Sequence, residues 1–89
     1  MTIAELKIEI HAKSYEESVE ILTAYIKAHP REDGAYTLRG MRHWGAGHRS
    51  LAINDYLAAI AINPASPARA ALEAADSILA YRNKDLYNP

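Results

Sequence analysis

The chain has 89 residues, a formal net charge of −1 and no cysteine. This length suits one small domain, and the lack of cysteine excludes disulfides, thiolate catalysis and cysteine zinc sites. The charged N-terminus is no signal peptide and no apolar run reaches the roughly 20 residues of a membrane span, so we expect a cytoplasmic protein.

The first two predicted helices begin at capping signals. Thr2 and Glu5 have the Ser/Thr-x-x-Glu spacing of a capping box, which predicts a helix over about residues 3–12. The same spacing recurs at Ser14, so a second helix begins there almost at once. It ends before Pro30, because the residue preceding a proline is pushed away from helical angles.

The next two predicted helices form a pair around a glycine turn. Asp33 is the expected N-cap of a helix that runs to about Ala46, and Gly47 belongs to the turn that follows. The fourth helix is predicted over about residues 48–62 and closes before Pro64.

The fifth predicted helix is rich in alanine. Ser66 is the expected N-cap, and Pro67 occupies the first turn, where its missing N–H has no helical partner to lose. The helix is predicted over about residues 67–82, and residues 83–89 form a tail. Because no strand pattern competes anywhere, the sequence predicts an all-α protein.

A repeat links these helices. Pro30 and Pro64 stand 34 residues apart, and the same shift places Leu22 on Tyr56. A period of 34 residues is that of a helix–turn–helix repeat whose units stack on one another.

The segment between the two prolines resembles the tetratricopeptide repeat (TPR) family. It is similar to the common variant with Arg-Gly in the first helix and Asp-Tyr in the second. The family's signature positions hold Tyr36, Gly40, Gly47, Ala52, Tyr56, Ala59 and Pro64. The first unit departs from the family pattern at Leu6, Ser18 and Tyr25, where the family has small residues.

The resemblance implies a short right-handed α-solenoid of stacked antiparallel helix hairpins in a single domain, residues 1–89. Repeat one would cover about residues 1–30 and repeat two about 31–64. A lone closing helix would follow at about 66–82, then the tail. Two repeats fall below the roughly three expected for independent stability, so a second chain covering an exposed face is one solution.

The resemblance also implies which residues are structural. In the family variant, the positions of Arg39 and Asp55 face each other across the hairpin, where a guanidinium can bind a carboxylate bidentately. We expect this pair to hold the hairpin in register. Small residues at Gly40, Ala52 and Ala59 would let neighbouring helices approach closely.

A partner-binding surface is implied on the first helix of each hairpin, facing the concave side. Thr37, Met41 and Trp44 stand at steps of four and three, so they share one helix face. Trp44 has an alternative role, covering the closing helix or the turn. The residues expected to contact a partner are Lys7, His11, Thr37, Met41, Trp44 and Ile78.

The expected partner is a protein or peptide. The carboxylate clamp of chaperone-binding TPRs is absent, because its positions hold Lys7 but also Thr37, Leu38 and Met41. A mostly apolar groove favours a hydrophobic helix or loop over an acidic tail. The alternative is a homodimer in which a second copy covers the groove or the truncated end.

No enzymatic, metal or cofactor site is expected. The four histidines lack zinc-ligand spacing, and no nucleophile motif or phosphate loop is present. His43 is expected to pack between hairpin helices. Nucleic acid is not an expected partner, because Arg39 is engaged by Asp55 and the remaining cations are too few for a phosphate track.

Overall fold

A computed structural model describes the backbone of residues 2–82 and the side chains of residues 2–75. Every regular element in this part of the chain is a helix, which confirms the all-α prediction. The predicted Ile78 contact and the tail at 83–89 lie outside the described side chains. The five helices are α1 (Ile3–His11), α2 (Tyr15–Ala28), α3 (Asp33–Gly45), α4 (Arg49–Ile62) and α5 (Ala68–Arg82).

The predicted capping signals at the N-terminal half are largely confirmed. Thr2 and Glu5 form a complete capping box, in which each side chain bonds the backbone N–H of the other. Ser14 accepts the N–H of Glu17, whose carboxylate accepts the Ser14 hydroxyl at 3.1 Å instead of returning to the backbone. The orphan N–H groups at the start of both helices therefore gain side-chain acceptors.

The predicted N-cap at Asp33 is wrong by one residue. Glu32 is the N-cap of α3, without a side-chain hydrogen bond, and Asp33 is the first helical residue. The carboxylate of Asp33 still lies in the first turn, where the helix dipole favours negative charge. Ser66 performs the expected capping before α5, since its hydroxyl accepts the N–H of Ala68 at 3.2 Å.

Helix α3 lies at the centre of the packing. It contacts α1, α2 and α4, and α4 in turn contacts α5. One core cluster joins α1 and α2 through Leu6, Ile10 and Leu22. A second is built on Ala52, Tyr56, Ala59 and Ala68, from α4 and α5.

Gly40 sets how closely α3 approaches α4. A Cβ atom at this position would stand 2.6 Å from the Tyr56 ring and 3.2 Å from the Ala52 carbonyl oxygen. Ala52 and Ala59 of α4 are fully buried. The turn between the two helices uses Gly47 at φ 86°, a backbone conformation that glycine adopts without steric cost.

Within the described residues, none of the helices has the length and hydropathy that crossing a membrane requires.

Two glycine substitutions in α3 should have opposite effects on stability. Gly40→Ala forces the Tyr56 ring to move, an overpacking cost of about 1–3 kcal/mol that exceeds the gain of about 1 kcal/mol in helix propensity. A Cβ atom at Gly45 would have no neighbour within 4 Å, so Gly45→Ala should stabilise the protein by up to about 1 kcal/mol. Urea unfolding measures both, and equal midpoints for the two variants would refute the close approach at Gly40.

Candidate functional site

A groove runs between α1 and α3. Its main cavity has a volume of about 250 Å³ and continues into a second depression of about 230 Å³ that reaches Pro67. Lys7, Leu38 and Met41 line both. We define the α1–α3 groove by its lining residues: Ile3, Lys7, Ile10, His11, Gly34, Thr37, Leu38, Met41, Arg42 and Pro67.

The spacing of residues along the two helices produces this groove. On α1, Ile3, Lys7 and Ile10 follow each other at steps of four and three, which places them on one face. On α3, Gly34, Leu38 and Met41 stand at the same steps. Two such faces meet side by side because α1 packs against α3.

The groove combines an apolar floor with basic sides. Ile10 is buried and Leu38 is half-buried, while Met41 is 55% exposed. Lys7 and His11 are exposed on α1. Arg42 on α3 donates a hydrogen bond from Nη2 to the backbone carbonyl of Ile10, which ties the C-terminal end of α1 to α3.

Lys7, His11, Thr37 and Met41, predicted as contact residues, are brought together in this groove. Thr37 contributes little surface, being 7% exposed. Its hydroxyl bonds the Asp33 carbonyl oxygen at 3.1 Å and the Ser66 hydroxyl at 3.3 Å. Thr37 therefore connects α3 to the segment before α5.

Trp44 lies apart from the α1–α3 groove. It packs against the core cluster of α4 and α5 and lines a cavity with Tyr56, Ala71, Ala74 and Ala75. The guanidinium of Arg49 lies 5.1 Å from its ring centroid, within cation–π range. This position corresponds to the alternative in which Trp44 covers the closing helix.

Sequence reasoning missed Arg42 as a groove residue. Its guanidinium lies at the C-terminal end of α1, where it bonds the Ile10 carbonyl oxygen. Arg42 follows Leu38 by four residues, and this spacing was the available signal for a shared face.

A partly buried ion pair joins α3 to α4. Arg39 donates from Nε to Asp55 Oδ2 at 2.8 Å and from Nη2 to Asp55 Oδ1 at 2.7 Å, the bidentate geometry expected for this pair. Nη1 donates to the Thr23 hydroxyl of α2 at 3.2 Å. The pairing with Asp55 raises the pKa of Arg39 above its ordinary value. This one side chain of α3 thus connects its own helix to α2 and α4.

His43 connects this ion pair to Tyr15 of α2. We call Arg39, Asp55, His43 and Tyr15 the polar cluster. Nδ1 of His43 lies 2.8 Å from the Tyr15 hydroxyl and its Nε2 lies 3.6 Å from Asp55 Oδ2. A neutral ring that carries its proton on Nε2, toward Asp55, accepts the Tyr15 hydroxyl at Nδ1. The side chain is 9% exposed, as expected for a histidine packed between helices.

Burial is the main cause that lowers the pKa of His43 below its ordinary value. Asp55 acts in the opposite direction, while Arg39 and His48 lower the pKa further. The imidazole ring of His48 stacks on Tyr15 with centroids 5.3 Å apart, so it stands close to the cluster.

The polar cluster has the groups of an acid–base relay, and its Tyr15 lines a depression of about 230 Å³ together with Met41, Arg42, Gly45 and Ala46. Arg39, His43 and Asp55 themselves line neither this depression nor the cavities described above. No group of three or more potential metal ligands occurs among the described side chains. The cluster provides hydrogen-bond partners for buried polar groups on three helices.

Comparison of the chain with protein-family models, with curated proteins and with solved structures finds no match.

Removing the guanidinium should destabilise the fold. Arg39→Ala leaves Asp55 without its main partner in a site where its side chain is 8% exposed, and we expect a loss of about 1–3 kcal/mol. Arg39→Lys keeps the positive charge but cannot form the bidentate hydrogen bonds, so its loss of unfolding free energy should be intermediate. Arg31 is exposed, and Arg31→Ala serves as a control with a change within about 0.5 kcal/mol. A thermal melt of Arg39→Ala that matches the wild type would rule out this role.

Stability should fall in mild acid because of His43. Its folded-state pKa is lowered, so between that value and the unfolded value near 6.5 the unfolded chain binds more protons. The stabilisation is complete above about pH 6.5 and is lost as the pH falls through the folded pKa. Melting temperatures from about pH 7.5 to about pH 5 should decline for the wild type and less steeply for His43→Gln. The exposed control His29→Gln should keep the wild-type slope.

Proposed function

We propose that this chain is a non-enzymatic protein–protein interaction module of the TPR type. It acts in the cytoplasm and binds a peptide or helix of a partner protein in the α1–α3 groove. The observation that carries the proposal is the convergence of Lys7, His11 and Met41, from two different helices, on one open groove.

The groove has the character of a recognition surface. Met41 and Leu38 provide apolar area, and Arg42 and Lys7 provide directional polar groups beside it. A few apolar anchors with polar groups around them are the usual arrangement in protein interfaces. The proposed TPR arrangement is supported by the 34-residue repeat and by the packing of α1 and α2 against α3.

The polar cluster supports a structural role over a catalytic one. His43 is buried and already bonded to Tyr15, and a general base must reach the proton that it removes from a substrate. We therefore assign the cluster to fold stability and the groove to binding.

Self-association is the second candidate function. Ile8, Met41, Leu51 and Leu57 are large apolar side chains that are about half exposed or more, and Ile8 reaches 76%. A second copy could cover some of this surface. Light scattering coupled to size exclusion distinguishes the candidates: a dimer at all concentrations supports self-association, and a stable monomer supports the adaptor.

Peptide selection with two matched variants tests the adaptor. Peptides are selected from a displayed random library against the purified protein and then measured against Met41→Glu and Leu51→Glu. Both residues have similar exposure, 55% and 48%, but Leu51 lies on α4 and does not line the groove. Met41→Glu should weaken binding at least about tenfold by placing a carboxylate among apolar contacts, and Leu51→Glu should leave it unchanged. Equal effects of both variants, or no selected peptide, would reject the proposed site.

A further inference from the structure

The α1–α3 groove has a one-sided charge. Its lining contains Lys7, His11 and Arg42 and no aspartate or glutamate. The chain as a whole has 11 acidic residues against 10 lysines and arginines, so the composition does not account for this bias. The basic groups are concentrated where the apolar surface is also open.

These basic groups have no acidic partner within the described part of the chain. The ion pairs found there join Asp55 to Arg39 and to His43, and neither pair belongs to the groove. Arg42 uses Nη2 on the Ile10 carbonyl oxygen, which leaves other guanidinium N–H groups for a ligand. Charges that already line an apolar groove favour a ligand with complementary charge.

The walls of the groove limit the backbone conformation of a ligand that can bind there. Both walls are helices, whose backbone groups are bonded internally, so an extended peptide finds no strand edge to pair with. A helix satisfies its own backbone and presents only side chains. From Gly34 to Arg42, the α3 wall of the groove extends for about 12 Å at 1.5 Å per residue, which accommodates about two turns of a ligand helix.

We propose that the ligand of the α1–α3 groove is an amphipathic helix whose apolar stripe is flanked by aspartate or glutamate. This inference rests on the proposed function, because it specifies the partner for the same groove. The apolar stripe packs on Ile10, Leu38 and Met41. The carboxylates face Lys7 and His11 on the α1 side and Arg42 on the α3 side.

Two helical peptides of equal length and equal apolar stripe test the charge requirement. One carries glutamate on both flanks of the stripe and the other carries lysine. Isothermal titration calorimetry should show at least about tenfold tighter binding of the glutamate peptide at low salt. The difference should shrink as the ionic strength is raised to about 0.5 M, because exposed charges are then screened.

A charge reversal on the protein identifies the groove as the site. Lys7→Glu should weaken the glutamate peptide and strengthen the lysine peptide, while Lys27→Glu makes the same charge change on exposed α2 surface away from the groove. Lys27→Glu should therefore leave the preference unaltered. Matched melting temperatures show that both variants are folded.

The outcomes separate this inference from the proposed function. If both peptides bind equally and Met41→Glu abolishes both, the groove binds helices and the acidic requirement is wrong. If Met41→Glu weakens neither the two helical peptides nor any peptide selected from the random library, the proposed function is rejected as well. If the protein associates with itself and Lys7→Glu makes the oligomer dissociate, the occupant of the groove is a second copy. In that case Glu5, Ile8 and Glu9 of α1 supply the acidic and apolar face, and a separate partner is rejected.

Discussion

The contact between Arg39 and Asp55 is the constraint on which the helix arrangement depends. A nearly buried carboxylate is tolerable only with strong partners, and Asp55 receives two hydrogen bonds from one guanidinium. Because the same guanidinium also bonds Thr23, the pair determines how α3 lies against both α2 and α4. His43 and Tyr15 add a second polar connection between α2 and α3.

This arrangement divides the surface of α3 between stability and recognition. Arg39, Gly40 and His43 face the interior, where polar bonds and the close approach to Tyr56 orient α4. Leu38 and Met41 lie on the side that faces α1, where the groove opens. The contacts of Arg39, Gly40 and His43 thus fix the position of Leu38 and Met41 in the groove. A substitution at Met41 can therefore alter binding without removing any of the contacts that hold α3.

Several sequence predictions succeeded because they rest on local rules. Thr2, Ser14 and Ser66 cap helices by bonds to nearby residues, so spacing alone identifies them. Asp33 was misplaced by one residue because acidic side chains are favoured both at the cap and in the first turn. The place of Arg42 in the groove was missed because it depends on how α1 packs against α3, a contact between residues far apart in the chain.

The sequence by itself determined five helices and their approximate ends. These features follow from periodicity and capping, which act over one or two helical turns. The small residues between α3 and α4 were implied by the resemblance to a repeat family and not by a local rule. Only the tertiary structure decided that Trp44 packs under α5, that Thr37 is nearly buried, and that Lys7, His11 and Arg42 line one groove. Such features depend on how neighbouring helices are placed against each other. That placement is a property of contacts between residues far apart in the chain, which no local pattern encodes.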